Sequence, residues 1–441
     1  MIMNKYVLNP IRRCSFEYWY MVLMIIYMAQ MTHNTSRMMG PISGNPIPFV
    51  IPIFFTVILV IRNHINWNNL KRPLLGVFFL WILAVFAKYA QYTTAFMSMN
   101  IILPLYAIIV AFIHMEVYGK AFFEIYEDIV VKFAAISLVM WGLCVLLPGQ
   151  TTAFFTLFPQ TDGTPFGHNF LYVFKWLGES NSLLGIVRNS GLSWEPGRYA
   201  IMLCLALYVN LSKNGLSFKQ NANLIILLLA IVTTFSTTGY TITLILLALY
   251  YLKFNKFSDL LKVVLVIIPI FILIFRLDFM GEKMMEKANI TDLNNSFYDA
   301  ESWSSVNGGT EEHISLDRFQ SLFFEYENFL HNPILGYTRD VKNSWFAKTF
   351  SSDYSLSGGL MKVLSQFGLL FGLYIFVILF RSSKLISEMY SSNKRSIALF
   401  MVILLSAISY EIFLVPVFTT FWLASSWGIG LKNRCFVTKS R

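Results

Sequence analysis

The stretch Val130-Val-Lys-Phe-Ala-Ala-Ile-Ser-Leu-Val-Met-Trp-Gly-Leu-Cys-Val-Leu-Leu147 decides the fold class. Apart from Lys132 and Ser137 it is apolar from end to end, and about 20 such residues make a helix long enough to cross a bilayer. Nothing in it alternates polar with apolar, as a strand of a membrane barrel must. A helix satisfies its own backbone hydrogen bonds in lipid, so it is the conformation that such a run can adopt there. Working outward, further apolar runs lie near 16–31, 47–61, 73–90, 99–115, 197–211, 222–237, 239–252, 260–276, 358–380, 396–410 and 412–431. The expected fold class is all-α: a polytopic transmembrane helical bundle of about 12 spans (10–12), with 1–441 as a single integral membrane domain. The composition agrees, with 56% hydrophobic and 13% charged residues, where a soluble chain carries roughly 25% charged.

The net charge of +10 does not indicate nucleic acid, because the basic residues are spread through short loops. They alternate instead. One set of loops holds Arg12 and Arg13, Arg62 and Arg72, Lys120 and Lys132, Lys213 and Lys219, Lys253 and Lys262, Arg381 and Lys394, and finally Lys432 and Arg441. The other short loops offer Arg37 and, at a helix end, Lys88. The positive-inside rule therefore places both termini in the cytoplasm. No small-residue cleavage site follows the first apolar run, which reads as a retained anchor. Cys14, Cys144, Cys204 and Cys435 are scattered and show no metal-ligand spacing.

Two loops on the opposite face are much longer than the rest, 148–196 and 277–357. Loops of that length are usually functional or disordered, and the aromatics, glycines and charges in both speak for order in at least part of each. The first ends in Arg188-Asn-Ser-Gly-Leu-Ser-Trp-Glu-Pro-Gly-Arg-Tyr199. Pro196 suits the first position of a helix, which puts Glu195 at or beside the N-cap. The free N–H groups and positive dipole of a helix N-terminus bind anions, and Arg188 and Arg198 add fixed cations. Two readings stand together: an anion site with Glu195 beside it, or a capped helix with Arg198 snorkelling to the headgroups.

The second loop contains an amphipathic helix near 313–331. Phe319, Leu322, Phe323, Tyr326 and Leu330 share one face; Arg318, Ser321, Glu325 and Asn328 share the other. Such a helix either lies on the bilayer or closes a polar face over a cavity. His331-Asn-Pro-Ile-Leu-Gly-Tyr337 turns the chain, Arg339, Asp340 and Lys342 follow, and Ser355-Leu-Ser-Gly-Gly359 opens the next helix. Lone histidines (His168, His313, His331) read first as surface or packing residues, and Lys88 and Glu411 as snorkelling or paired. There is no Walker loop, metal pattern, GxSxG or nucleotide fingerprint.

On these residues the chain resembles the O-antigen polymerase family (Wzy type), related to the O-antigen ligases. The resemblance rests on the Arg188–Tyr199 stretch before a central span and on Thr234-Phe-Ser-Thr-Thr-Gly239 inside an apolar stretch. It rests also on the pattern Arg318…His331-Asn-Pro-Ile-Leu-Gly336…Gln366-Phe-Gly-Leu-Leu-Phe-Gly372 after the large loop. Ligases usually show a histidine just before the following span; here that region reads Asp353-Tyr-Ser-Leu-Ser-Gly-Gly359, which favours polymerase. The resemblance implies a glycosyltransferase of the bacterial inner membrane that joins oligosaccharide units carried on undecaprenyl diphosphate at the periplasmic face. No cofactor is implied, since the donor is already activated. A chain-length regulator and a flippase are implied partners. Arg188, Arg198, Arg318 and Arg339 are the expected diphosphate-binding residues, because guanidinium grips phosphate through two donors. Glu195 is the first candidate base, with His331 and Asp340 behind it. A ligase is the rival enzyme. A flippase or other transporter is the rival of another class, although it should show internal repeats and charges near mid-membrane.

Overall fold

The computed structural model describes residues 11–30, 47–63, 65–70, 73–90, 92–155, 166–168, 172–175, 182–183, 186–193, 195–251, 318–350, 359–390, 396–427 and 436–437. Its helices are α1 (Phe16–Gln30), α2 (Ile47–Asn63), α3 (Pro73–Tyr89), α4 (Leu103–Tyr118), α5 (Ala121–Leu146), α6 (Pro148–Phe155) and α7 (Pro196–Asn214). They continue with α8 (Ala222–Thr233), α9 (Thr237–Tyr251), α10 (Arg318–His331), α11 (Leu360–Met389), α12 (Ala398–Ser409) and α13 (Pro416–Leu423). Among the described residues Asn100–Tyr118, Ala121–Leu146 and Met361–Met389 are long and apolar enough to cross a membrane; the other apolar helices are shorter. The chain is thus an all-α protein of membrane type.

Several boundaries differ from the sequence reading, each for a local reason. The run expected at 130–147 extends back to Ala121, because Glu124 and Asp128 lie at an end where Lys120, Lys132 and Arg13 neutralise them. The run near 412–431 starts late, at Pro416, which cannot continue a helix arriving from Ser409 but suits a first turn. The loop 148–196 contains α6 and two small antiparallel ladders, β2–β3 (Phe166–His168, Val173–Lys175) and β4–β5 (Ser182–Leu183, Ile186–Val187). The run at 260–276, and the loop 277–357 up to residue 317, lie outside the described residues.

The core is built round α7. Every residue from Pro196 to Ser212 is buried, as expected of a helix without a polar face that other helices surround. α5, α8, α9 and α12 pack about it. The segment leading into α7 is interior too. Asn189 is fully buried and donates to Ser137 Oγ at 3.2 Å and Thr233 Oγ1 at 2.9 Å, while Tyr199 Oη donates to Ser137 Oγ at 2.9 Å. Gly191 has φ +53°, and a Cβ there would lie 2.3 Å from the Tyr199 ring. No other residue fits that turn.

The two halves of the 331–372 pattern meet in space. α11 breaks at Gly368 (φ 74°, ψ 174°). The carbonyls of Ser365 and Gln366 accept from Tyr337 N (2.8 Å) and Thr338 N (3.1 Å), and Leu369 N donates to Pro333 O at 2.8 Å. The loop after α10 thus replaces the lost helical bonds. Such an approach excludes side chains: a Cβ on Gly336 would lie 2.2 Å from Gln366 O, and one on Gly368 2.0 Å from Ile334 O.

α10 is turned polar side in. Ser321, Glu325 and Asn328 are fully buried, while Phe323, Tyr326 and Leu330 are exposed. Glu325 accepts from Tyr337 Oη at 3.2 Å, from Asn328 Nδ2 at 3.4 Å, and from Ser365 Oγ. Burial pushes its carboxyl above the usual range, against Lys362 and these bonds, which act the other way. At the opposite end of the bundle β1 (Ile11–Arg12) pairs in parallel with β6 (Phe436–Val437), so the first and last described segments lie side by side.

Candidate functional site

The end of α1 away from the paired termini carries a cluster of charge. Glu411 stands in the extended break between α12 and α13. Arg339 Nη2 donates to its Oε1 at 2.6 Å and Lys362 Nζ lies 3.3 Å from its Oε2. The backbone N–H of Arg339 donates to Asn100 Oδ1 at 2.8 Å. Asn100 belongs to a π-helical turn, Ser98–Ile102, a local widening that frequently marks functional positions. Burial alone would raise the Glu411 carboxyl. The Arg339 guanidinium and Lys362 ammonium outweigh it and hold the group at about 2.

Arg198, in the first turn of α7, is 2% exposed. Its Nη2 donates to Met28 O at 3.3 Å, and its Nε has no partner among the described residues. Tyr410, Glu195 and Glu411 are the acidic groups close enough to act on it. Tyr410 is packed against the start of α7, where a Cβ on Gly197 would lie 2.3 Å from its hydroxyl oxygen. The start of α11 is pressed against the last turn of α12 and the first residue of the break, where a Cβ on Gly359 would lie 1.5 Å from Ala407 O and 3.0 Å from Tyr410 N. Two glycines therefore let the N-termini of α7 and α11 converge on residues 410–411. Neither N-cap, Glu195 or Gly359, makes a side-chain capping bond. α9 arrives beside them, with Thr238 Oγ1 2.7 Å from Ser409 Oγ.

The structure brings together Glu195, Arg198 and Arg339 from the candidates of the sequence reading. It places Arg188, His331 and Asp340 elsewhere, and the side chain of Arg318 lies outside the described part. Arg188 donates from Nε to Thr234 O and from Nη2 to Phe235 O, each at 3.0 Å. These bonds tie it to the break between α8 and α9, where Phe235 has φ +46°. The backbone of Arg318 opens α10. His331 closes that helix; its Nδ1 donates to Glu327 O at 2.9 Å and its ring stacks on Trp345, with centroids 4.8 Å apart. Asp340 caps the turn Val341–Asn343 by accepting from Lys342 N at 3.2 Å.

Glu411, Lys362, Tyr410 and Asn100 are the residues that sequence reasoning missed. Glu411 was readable as paired, and its pairing with Arg339 and Lys362 agrees. Its central place had one signal, a carboxylate between two apolar runs. Lys362 and Asn100 gave none, since each lies within or beside an apolar run whose rotation is set by packing. Among the described residues no group of three or more His, Cys, Asp or Glu could hold a metal ion.

Chemically the cluster is cationic and partly withdrawn from water. Arg198, Arg339 and Lys362 stand with two carboxylates, the strongly ionised Glu411 and Glu195, and with two helix N-termini. Such a place favours an anion, or negative charge that develops during a reaction. Glu411, held by two cations, is a weak base. Comparison with known proteins finds no matching family model and no matching curated protein.

Proposed function

We propose that this chain is a polymerase of surface polysaccharide, of the O-antigen type, acting on oligosaccharide units linked to undecaprenyl diphosphate at the periplasmic face of a bacterial inner membrane. The observation that carries the reading is the convergence of Arg198, Arg339 and Lys362 with the N-termini of α7 and α11 around Glu411. A leaving lipid diphosphate needs such fixed positive charge in a site of low dielectric. In the reaction, a hydroxyl of the incoming unit attacks the anomeric carbon of the growing chain. The bond from that carbon to the diphosphate oxygen breaks, and its electron pair stays on the diphosphate, held by Arg339, Lys362 and Arg198. The hydroxyl proton passes to Glu195. Arg188 acts indirectly, by holding the α8–α9 break.

In this reading the chain spans the membrane about 12 times, counting the shorter apolar helices, with both termini cytoplasmic. The pairing of β1 with β6 supports it, because termini on the same side require an even number of crossings. A flippase would deliver the units and a chain-length regulator would act with the polymerase.

The test is deletion of the gene in its host, followed by electrophoresis of the lipopolysaccharide. A single band of core plus one unit, restored to a ladder by the wild-type gene but not by Arg339→Ala, is the expected result. Loss of all O-antigen from lipid A with long polymer kept on the carrier would assign a ligase instead. An unchanged ladder would overturn the proposal.

A further inference from the structure

A second group of cations lies on the other side of the loop that carries Arg339. Lys88 Nζ is 5.2 Å and Lys348 Nζ 5.9 Å from the centroid of one ring, that of Tyr89. The ring is fixed from the side, since Tyr89 Oη donates to Gly336 O at 3.0 Å. Lys88 Nζ donates to Asn332 Oδ1 at 2.8 Å, which turns the Asn332 amide so that its Nδ2, without a partner among the described residues, can donate. Both lysines are exposed, and among the described residues neither has an ion-pair partner. Two ammonium groups beside one ring repel each other, and an anion between them reverses the sign of that interaction.

The surroundings say what kind of anion. Leu330 (49% exposed) and Ile334 (63% exposed) flank Asn332 in the chain and present bare apolar surface. Tyr326, one turn before Leu330 on α10, is exposed as well. The polar side of α10 is buried, so its apolar side is the one left to meet a solvent, and lipid is the solvent it suits. Trp345, stacked on His331 at the end of the helix, is of a residue type enriched at the headgroup layer. A free phosphate would use the cations and ignore the apolar surface; a phospholipid uses both.

We propose that Lys88, Lys348 and Asn332 bind the phosphate of an anionic phospholipid whose chains lie along Leu330 and Ile334. The site rests on the membrane reading of α3 and α10 and is independent of the polymerase reaction. It fastens the loop 332–340, and with it the backbone on which Arg339 stands, to the surface of the bilayer.

The test is native mass spectrometry of the full chain in neutral detergent, titrated with dioleoylphosphatidylglycerol and, separately, with dioleoylphosphatidylcholine. The wild type is expected to retain the anionic lipid preferentially. Lys88→Ala and Lys348→Ala should each weaken that retention about fivefold, since each removes one cation at the headgroup layer. The double Lys→Arg variant should keep it. Equal retention of the two lipids by the wild type, or undiminished preference in a monodisperse double alanine variant, would overturn the proposal. Leu330→Ser with Ile334→Ser should weaken the lipid several-fold while leaving competition by inorganic phosphate unchanged; a loss of neither would reduce the site to a phosphate site and remove the lipid from it.

Discussion

The two ends of the bundle use the same residue types differently. At the end of the paired termini Asp128 is held by Arg13 at 2.5 Å and Lys132 at 2.8 Å, two cations on one carboxylate, as Arg339 and Lys362 are on Glu411. The difference is water. Arg13 and Lys132 have 45% and 44% of their side chains exposed, whereas Arg339 and Lys362 have 15% and 19%. Solvent and salt screen the first pair, so its excess charge needs no further partner. Glu127, a buried carboxylate of that end, accepts from Asn210 Nδ2 at 2.6 Å and pairs with Lys213 at 3.3 Å, and Asn210 and Asn221 bond each other through both amides. The Glu411 end keeps its cations sheltered beside two helix N-termini. Fixed cations and helix N-termini in such sheltered surroundings favour an anion, and that contrast separates a brace from a site.

Substitutions can break the contrast. Arg339→Ala should have the largest effect, lowering polymer formation by about 100-fold or more, the order seen when one donor to developing charge is removed. Arg339→Lys should restore it in part, as a single ammonium cannot replace two guanidinium donors; a ladder of normal length from Arg339→Ala would end the comparison. Next comes Gly368→Ala, which places a Cβ against Ile334 O at a residue with φ +74°. It should cost about 1–3 kcal/mol, read as a lower thermal midpoint of the solubilised protein.

Glu411→Gln should cost less, about 1–2 kcal/mol, because the carboxylate is partly exposed. Its pH dependence has a definite sign. The folded pKa is depressed to about 2, so the ion pair stabilises the fold above the unfolded value of about 4.3 and that contribution is lost as pH falls towards the folded one. The gap between the midpoints of wild type and Glu411→Gln should therefore be full at pH 7 and narrow below about pH 4; a gap independent of pH would mean that the pair does not carry it. The smallest effect belongs to Arg13→Ala, an exposed pair worth about 0–1 kcal/mol, with an unchanged lipopolysaccharide ladder.

Much of this was legible in the residues. The pattern from His331 to Gly372 was recognisable as one unit, and two of its glycines, Gly336 and Gly368, are those that allow the 332–340 loop to lie against the break in α11. Pro196 announced the start of α7 and put Glu195 at its N-cap. Arg188 could not be told from Arg198 by sequence, since both are arginines flanking the same segment. One caps carbonyls at a neighbouring helix break and the other is buried with an Nε that has no partner among the described residues, and only the packing of α8 and α1 separates them. The amphipathic helix was equally ambiguous: its two faces could be read, but not that the polar one turns inward.

By itself the sequence determined the class of solvent, the helical conformation and some of the places where helices start, such as Pro196 for α7. These follow from local physics: apolar runs, proline at first turns, glycine where φ is positive. The tertiary structure decided which charges meet. Asn100, Arg198, Arg339, Lys362 and Glu411 come from five separate parts of the chain. Their convergence depends on how α7, α11 and α12 are rotated and how closely glycine lets them approach, and long-range packing of that kind leaves no period or spacing in the sequence to read.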